Sequence, residues 1–102
     1  MKYYFKVGRK KPIILSENDS LETLGIAILD AYQIEQDHLF MFTFSNGDET
    51  NSFSPFGPMG DYKDVSIEAK IKSRNLQVGE ELIFEYDYMS DWTRKVKLIK
   101  IE

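Results

Sequence analysis

Three carboxylates and the only tryptophan lie close together near the end of the chain, and the single histidine lies in its middle. Glu85 and Asp87 are two residues apart, and Asp91 follows next to Trp92. Two carboxylates held close together raise the pKa of one of them, so they can act as a general acid and base. Combined with His38, such carboxylates form a ligand set that suits Mg²⁺, Mn²⁺ or Ca²⁺. A carboxylate- and histidine-based, metal-dependent enzyme is therefore one hypothesis.

Simpler roles account for the same residues. Lys95 and Lys97 follow on the next predicted strand, where they would form cross-strand ion pairs with Glu85. A single histidine at the start of a strand commonly serves as a cap or a hydrogen-bonding group, and His38 fits that role. The chain has no cysteine, no glycine-rich phosphate loop and no Ca²⁺-binding loop pattern. We therefore predict no catalytic residue, no metal site and no cofactor.

The acidic residues belong to a segment whose side chains alternate between its two sides from residue 82 to residue 88. This period of two predicts a strand. Alternation stops at residues 89–92 and resumes afterwards, which predicts a hairpin with a loop of about four residues. Leu98 and Ile99 are both apolar, so we expect a bulge or burial on both sides there. The predicted inner side carries Leu82, Phe84, Tyr86 and Tyr88.

The rest of the chain predicts further strands and one helix. Alternation predicts a hairpin over residues 3–15, and residues 38–44, apolar on both sides, predict a central strand. Asp19 with Glu22 three residues on predicts the start of a helix over about 20–32, and Gly25 in its apolar stripe indicates close packing on the sheet. Residues 45–63 read as a packed loop. Residues 65–72 alternate like a strand, and a short helix is the alternative.

Composition is typical of a soluble globular protein. The 102 residues, of which 42% are hydrophobic and 29% charged, match the commonest domain size, so we predict a single domain over residues 1–102. We predict an α+β fold, with a mainly antiparallel sheet of about five to six strands covered on one face by the helix at about 20–32. No segment approaches the ~20 apolar residues that cross a bilayer, and no signal peptide is evident. We expect a cytoplasmic protein without a membrane partner.

The net charge of −4 conceals a strong segregation of charges. Residues 1–11 contain five basic residues and no acid, whereas residues 12–62 contain nine acids and no lysine or arginine. A fold that brings the first strand beside the acidic middle would neutralise both, which is the interpretation we favour. The alternative is a polarised surface that steers a charged partner. The residues available for a basic surface are Arg9, Lys10, Lys11, Arg94, Lys95 and Lys97.

Two segments carry residues that can be compared with known families. In residues 21–42 they are Leu24, Ala31, Tyr32, Asp37, His38, Leu39 and Phe42, and near the end of the chain they are Tyr86, Asp87, Tyr88 and Trp92. Both segments resemble the plasmid pRiA4b ORF-3-like family, whose pattern in the second is Tyr-Asp-aromatic-Gly-Asp-any-Trp. The chain departs from that pattern at Met89 and Ser90, and Asp91 occupies its variable position. The resemblance implies a small α+β domain, often encoded on plasmids or mobile elements, without an established activity.

We predict a non-enzymatic binding or interaction module whose partner is another protein. Tyrosine, tryptophan and carboxylates concentrated outside regular alternation are typical of contact sites. The alternative is a nucleic-acid-associated protein that uses the basic N-terminal and C-terminal strands, although a negative net charge weakens phosphate binding. The metal-dependent enzyme is the second alternative. The predicted contact residues are His38, Tyr86, Asp87, Tyr88, Asp91 and Trp92.

Overall fold

A seven-stranded sheet forms the framework of the protein, and the computed structural model describes residues 1–35, 40–50, 64–86 and 92–102. The elements are β1 Lys2–Val7, β2 Ile13–Ser16, α1 Leu21–Ala31, β3 Phe40–Thr43, β4 Glu49–Thr50, β5 Asp64–Val65, a 3-10 helix Ile71–Arg74, β6 Glu81–Tyr86 and β7 Trp92–Ile101. The strand order is β2-β1-β7-β6-β3-β4-β5, and all neighbours are antiparallel except β4 and β5. One α-helix accompanies the sheet in the described part of the chain, which confirms the predicted α+β class.

The predicted hairpin is formed by β6 and β7. Tyr86 pairs with Trp92 at its loop end, and Glu81 pairs with Lys97 at the other. Its connecting loop, residues 87–91, lies outside the described residues. Between β1 and β7 the register shifts, because Tyr4 pairs with Lys100 whereas Phe5 pairs with Leu98. The intervening Ile99 is a bulge and is 39% exposed, so the prediction of a bulge is confirmed over that of burial on both sides.

Helix α1 covers one face of the sheet and packs closely on it. The ring of Phe40 would overlap a Cβ added at Gly25, with its Cδ1 only 2.7 Å away. The glycine therefore permits the close approach that the sequence indicates. The predicted start is wrong by one residue: Ser20 caps the helix, since its Oγ accepts from the Thr23 N–H at 3.1 Å. The Asp19 carboxylate is engaged elsewhere, accepting from the Ser16 N–H at 2.8 Å.

One apolar cluster lies between α1 and the sheet. Strand alternation places every second side chain of β1, β6 and β7 in it, as predicted. The opposite sheet face has no helix over it within the described residues. Met41 faces that side, is 6% exposed and lies outside the cluster. The largest buried side chains of the cluster are Tyr86, Phe5, Phe42, Phe84, Leu21, Leu24, Ile28 and Leu29.

Residues 64–74 differ from the prediction. Only Asp64–Val65 is a strand, and the predicted strand over 65–72 is wrong beyond it. The carbonyls of Ile67 and Ala69 accept from the Glu22 and Leu21 N–H groups, so this segment satisfies the first turn of α1. Its alternation reflects side-chain packing, because Ile67 and Ala69 pack against the core while Glu68 between them is exposed. The alternative prediction, a short helix over residues 65–72, is met only at the end of that segment, where the 3-10 helix Ile71–Arg74 begins and Ile71 is buried.

The prediction of a loop over residues 45–63 is also partly wrong, because Glu49–Thr50 forms β4. A hydrogen bond from the Phe44 N–H to the Asp48 carbonyl closes the turn between β3 and β4. The Thr50 hydroxyl accepts from the buried Phe42 N–H at 2.8 Å. The packed-loop prediction for residues 51–63 falls outside the described part of the chain, as do residues 36–39. In the described part, no helix is long and apolar enough to span a membrane.

Candidate functional site

Trp92 is the first residue of β7 and lies at the corner that this strand forms with the C-terminal end of α1. Its indole ring is half-buried and contacts Phe84 edge-on at 6.0 Å between centroids. It also contacts Tyr32 edge-on at 5.4 Å. Phe84 belongs to the core, whereas Tyr32 is half-buried at the helix end. Trp92 therefore contacts both a core residue, Phe84, and a half-buried residue at the helix end, Tyr32.

The end of α1 positions Tyr32. Gln33 adopts a left-handed conformation, and its N–H donates to the Asp30 carbonyl at 3.0 Å. The Ile34 N–H donates to the Leu29 carbonyl at 2.9 Å, which completes the hydrogen-bond pattern of a Schellman motif. No glycine marks this helix end in the sequence. The Tyr32 hydroxyl rests against Gly8, where an added Cβ would lie 2.6 Å from it.

Two cations lie on these aromatic rings. The Arg94 guanidinium is 4.2 Å from the Trp92 centroid and 5.2 Å from that of Tyr32. Lys10 lies in the turn between β1 and β2, and its ammonium group is 5.0 Å from the Tyr32 ring centroid. Among the described residues, neither cation forms an ion pair with a carboxylate. We call Lys10, Tyr32, Trp92 and Arg94 the corner cluster.

Tyr86 supports this corner from inside. Its side chain is only 1% exposed, and its hydroxyl donates to the Glu35 carbonyl at 2.6 Å. That bond fixes the chain just after the helix end, next to the Schellman turn. Of the six predicted contact residues, the structure describes this one as buried and Trp92 as half-buried. His38, Asp87, Tyr88 and Asp91 lie outside the described residues, so their role stays a prediction.

The predicted pairing of Glu85 with the lysines of β7 is wrong. Strand register places Glu85 opposite Thr93, while Lys95 lies opposite Ile83. Lys97 lies opposite Glu81. In the described ranges no ion pair joins these residues. No group of three His, Asp or Glu side chains there is arranged to hold a metal ion. Of the residues in the metal hypothesis, Glu85 lies within those ranges, whereas His38, Asp87 and Asp91 lie outside them.

The predicted basic surface is divided between two sides of the sheet. Lys10 and Arg94 lie in the corner cluster on the helix side, whereas Lys95 and Lys97 lie on the opposite face. Arg9 and Lys11 are exposed in the turn after β1. Within the described residues, the favoured interpretation of internal charge neutralisation holds only just before β1, where the Met1 amino group forms an ion pair with Glu17 at 3.0 Å. The strands beside β1 are β2, which has no acid, and the basic β7.

Tyr32 is the site residue whose role the sequence pattern conceals. It occupies the last position of the apolar stripe of α1, which predicts a core residue. In the structure Tyr32 is half-buried, and two cations, Lys10 and Arg94, lie against its ring. Its distinguishing signals are its place at the end of the helix and its aromatic type among aliphatic stripe residues.

Comparisons with known proteins identify the family without assigning an activity. No curated protein matches this sequence. A crystal structure of the protein of unknown function MM3350 from Methanosarcina mazei Go1 is similar, with 25% sequence identity and a TM-score of 0.73. The similarity covers 97% of this chain and 60% of that chain, so this chain spans less than two thirds of the length of that protein. The family model described as plasmid pRiA4b ORF-3-like protein matches residues 6–102, which include the whole corner cluster. The chain therefore belongs to the plasmid pRiA4b ORF-3-like family.

Proposed function

We propose that the protein is a non-enzymatic binding module and that the corner cluster is part of its contact surface. The observation that carries this proposal is the position of Arg94, whose guanidinium lies over Trp92 and close to Tyr32 without an ion pair to a described carboxylate. The partner we propose is an acidic segment of another protein. Comparison with the family supports a domain of this fold and leaves the partner open.

The chemistry of the corner suits a carboxylate. A guanidinium stacked on an aromatic ring keeps its N–H edge available, and that planar edge matches the two oxygens of a carboxylate. One N–H of Arg94 already donates to the Thr93 carbonyl at 2.7 Å, which holds the side chain in place. Lys10 adds a second positive charge at the Tyr32 ring. Because the cations are held by the rings, less side-chain entropy is lost on binding.

Neighbouring segments extend the proposed surface. Residues 87–91 connect Tyr86 to Trp92, so that segment starts and ends at the corner. We propose that Tyr88 contributes contacts from this segment, and that His38 contributes from the segment before β3. In this proposal Asp87 and Asp91 accept hydrogen bonds from N–H groups of the partner's backbone and do not meet its carboxylates. Aromatic residues and arginine are the commonest residues that dominate binding energy at interfaces, which fits Trp92 and Arg94. Tyr86 contributes indirectly by holding the end of the helix.

Binding to this corner can be measured through Trp92, because it is the only tryptophan of the chain. The probes are synthetic 12-residue peptides rich in Asp and Glu, with Asn and Gln versions of the same peptides as neutral references. We expect the acidic peptides to shift the emission of Trp92 and the neutral ones to leave it unchanged. Arg94→Glu should weaken binding at least tenfold, because it replaces the carboxylate-binding group with a like charge.

Lys95→Glu is the matched control, since it makes the same change of charge at the next residue on the opposite sheet face. Thermal unfolding should show that both variants are folded. Acidic peptides that leave Trp92 emission unchanged would contradict the proposal. Equal loss of binding in the two variants would contradict it too, because a general electrostatic effect would then replace a local site. Trp92→Ala is a less clear test, since the ring also contacts Phe84 in the core.

A further inference from the structure

We propose that the sheet face opposite to α1 binds single-stranded nucleic acid through five lysines on two adjacent strands. We call this set the lysine face; it does not depend on the proposed function of the corner cluster. Four of the five side chains are exposed, and that of Lys6 is half-buried. The five residues are Lys2 and Lys6 of β1 and Lys95, Lys97 and Lys100 of β7.

Strand register brings these positive charges together. Lys6 lies directly opposite Lys97, and Lys100 lies opposite Tyr4, whose ring it covers at 5.3 Å. Like charges directly opposite on neighbouring strands destabilise a sheet. Within the described residues, one ion pair reaches this set, from Lys100 to Glu102 at 3.2 Å. Lys97 also lies opposite Glu81 on its other side, and the Lys6 ammonium donates to the Lys10 carbonyl. The five lysines still outnumber the carboxylates beside them, so a bound polyanion would relieve the repulsion that remains.

The type of cation favours phosphate over carboxylate. The lysine face contains no arginine, because Arg94 points to the helix side. Lysine binds phosphate as a point charge, whereas arginine is the residue suited to paired contacts with carboxylates. Lysines two residues apart on a strand, such as Lys95 and Lys97, are about 6.8 Å apart, and neighbouring strands are about 4.8 Å apart. A regular array of point charges of this kind can follow a phosphate backbone without fixed geometry.

The shape and remaining side chains favour a single strand over a duplex. The half-buried ring of Tyr4 lies among the lysines, and the exposed Ile14 and Ile83 lie beside them. Single-stranded nucleic acids bind to surfaces that combine positive charge with aromatic side chains on which bases stack; Tyr4 offers such a ring, and the two isoleucines add apolar contact. No described helix projects from this face to enter a groove of a duplex. The open sheet surface therefore fits an unpaired strand.

The test is the binding of a labelled, mixed-sequence 20-nucleotide DNA, measured by fluorescence anisotropy with the full chain. We expect binding at 50 mM salt that weakens about 50-fold at 200 mM, if four phosphates are neutralised on a single strand. The double variant Lys95→Glu with Lys97→Glu should lower affinity at least tenfold and reduce the salt dependence. Lys6→Gln with Lys100→Gln, which adds no negative charge, should have a smaller effect in the same direction.

Arg94→Glu is the control and should retain binding, because that side chain lies on the helix side. No binding at 50 mM salt overturns the proposal, and so does an equal loss in Arg94→Glu. Poly-glutamate of matched charge is the competitor. If it displaces the DNA as well as unlabelled oligonucleotide does, the lysine face binds acidic protein instead. Tighter binding of a duplex of the same sequence would overturn the assignment to single strands.

Discussion

The two faces of the sheet use neighbouring residues for opposite purposes. Phe84 is fully buried on the helix side, whereas Ile83 next to it is 37% exposed on the other. Arg94 lies against aromatic rings, whereas Lys95 next to it is exposed. Because successive side chains of a strand point to opposite faces, one residue along the chain separates the core from the surface. The sheet face under the helix therefore stabilises the fold, whereas the opposite face can carry charged side chains that do not contribute to stability.

The corner cluster and the lysine face also differ in how they hold their cations. At the corner, Arg94 and Lys10 rest on the rings of Trp92 and Tyr32, and such contacts stabilise a protein by about 0.5–1 kcal/mol each. On the lysine face, Lys6 and Lys97 lie opposite each other, and like charges in that position destabilise a sheet. Lys100 differs from them, because it pairs with Glu102 and lies over the Tyr4 ring. The corner cations therefore contribute to folding, whereas the pair Lys6 and Lys97 opposes it.

The largest difference should appear between Phe84→Ala and Ile83→Ala. Phe84 contacts Phe40, Phe42 and Trp92, so its removal should lower the free energy of unfolding by about 3–5 kcal/mol. Ile83→Ala should cost less than about 1 kcal/mol, because its side chain is partly exposed. Urea denaturation of both variants measures the two values. Similar losses would show that the open face is covered as well as the helix face.

Gly25→Ala should be destabilising although alanine is the better helix former. In an exposed helix the change would gain about 1 kcal/mol, but here the new methyl group overlaps the Phe40 ring, and overpacking costs about 1–3 kcal/mol. We expect a net loss of stability in thermal unfolding. Combining it with Phe40→Leu should cost less than the sum of the two single changes. A stabilised Gly25→Ala variant would show that the helix does not press on the sheet as described.

Neutralising one cation from each region should separate the two kinds of environment. Lys6→Gln removes the repulsion from Lys97, which costs about 0.2–1 kcal/mol at low salt, and also the hydrogen bond from the Lys6 ammonium to the Lys10 carbonyl. Salt screens the repulsion, so this variant should compare better with the wild-type protein at 20 mM than at 500 mM salt in urea denaturation. Arg94→Gln should lower the free energy of unfolding by about 0.5–1 kcal/mol, because the contacts with Trp92 and Tyr32 are lost. A difference between Lys6→Gln and the wild-type protein that is the same at both salt concentrations would refute the repulsion.

The smallest effect concerns the Tyr4 hydroxyl, which donates to the Glu102 carboxylate at 2.7 Å beside the lysine face. This hydrogen bond lowers the pKa of Glu102, with the charge of Lys100 acting in the same direction. It raises the pKa of Tyr4, together with the nearby negative charge. The bond therefore stabilises the fold above the ordinary carboxyl pKa and is lost as pH falls through the lowered value. At alkaline pH it is lost as pH rises through the raised pKa of Tyr4.

Tyr4→Phe removes this bond and should return the pKa of Glu102 part of the way towards its ordinary value. A carbon-detected NMR titration of the Glu102 carboxyl group measures the shift directly. The remaining depression should then depend on Lys100, and Lys100→Gln should reduce it further. A pKa of Glu102 that is unchanged in Tyr4→Phe would mean that the hydrogen bond does not form in solution.

Much of the fold could be predicted because its signals are local. Alternation in β1 and β6 identifies the buried side of each strand, since Phe5 and Phe84 follow the period of the pleat. Gly25 within an apolar stripe indicates a close contact, and the two apolar residues at 98–99 indicate a bulge. The prediction for residues 65–72 failed for a physical reason. Alternate side chains, Ile67 and Ala69, pack against the core although the backbone bonds to the first turn of α1 and not to a neighbouring strand, so the period of a strand appears without a sheet ladder.

The sequence by itself determined which side of each strand is apolar and where the hairpins turn, because these depend on side chains a few residues apart. Only the tertiary structure decided which strands are neighbours. β1 lies beside β7, so Lys6 meets Lys97, and the end of α1 brings Tyr32 to Trp92. A period of two specifies the inner and outer sides of a strand and contains no information about strand order. Both proposed surfaces arise from that order, since each joins residues from distant parts of the chain.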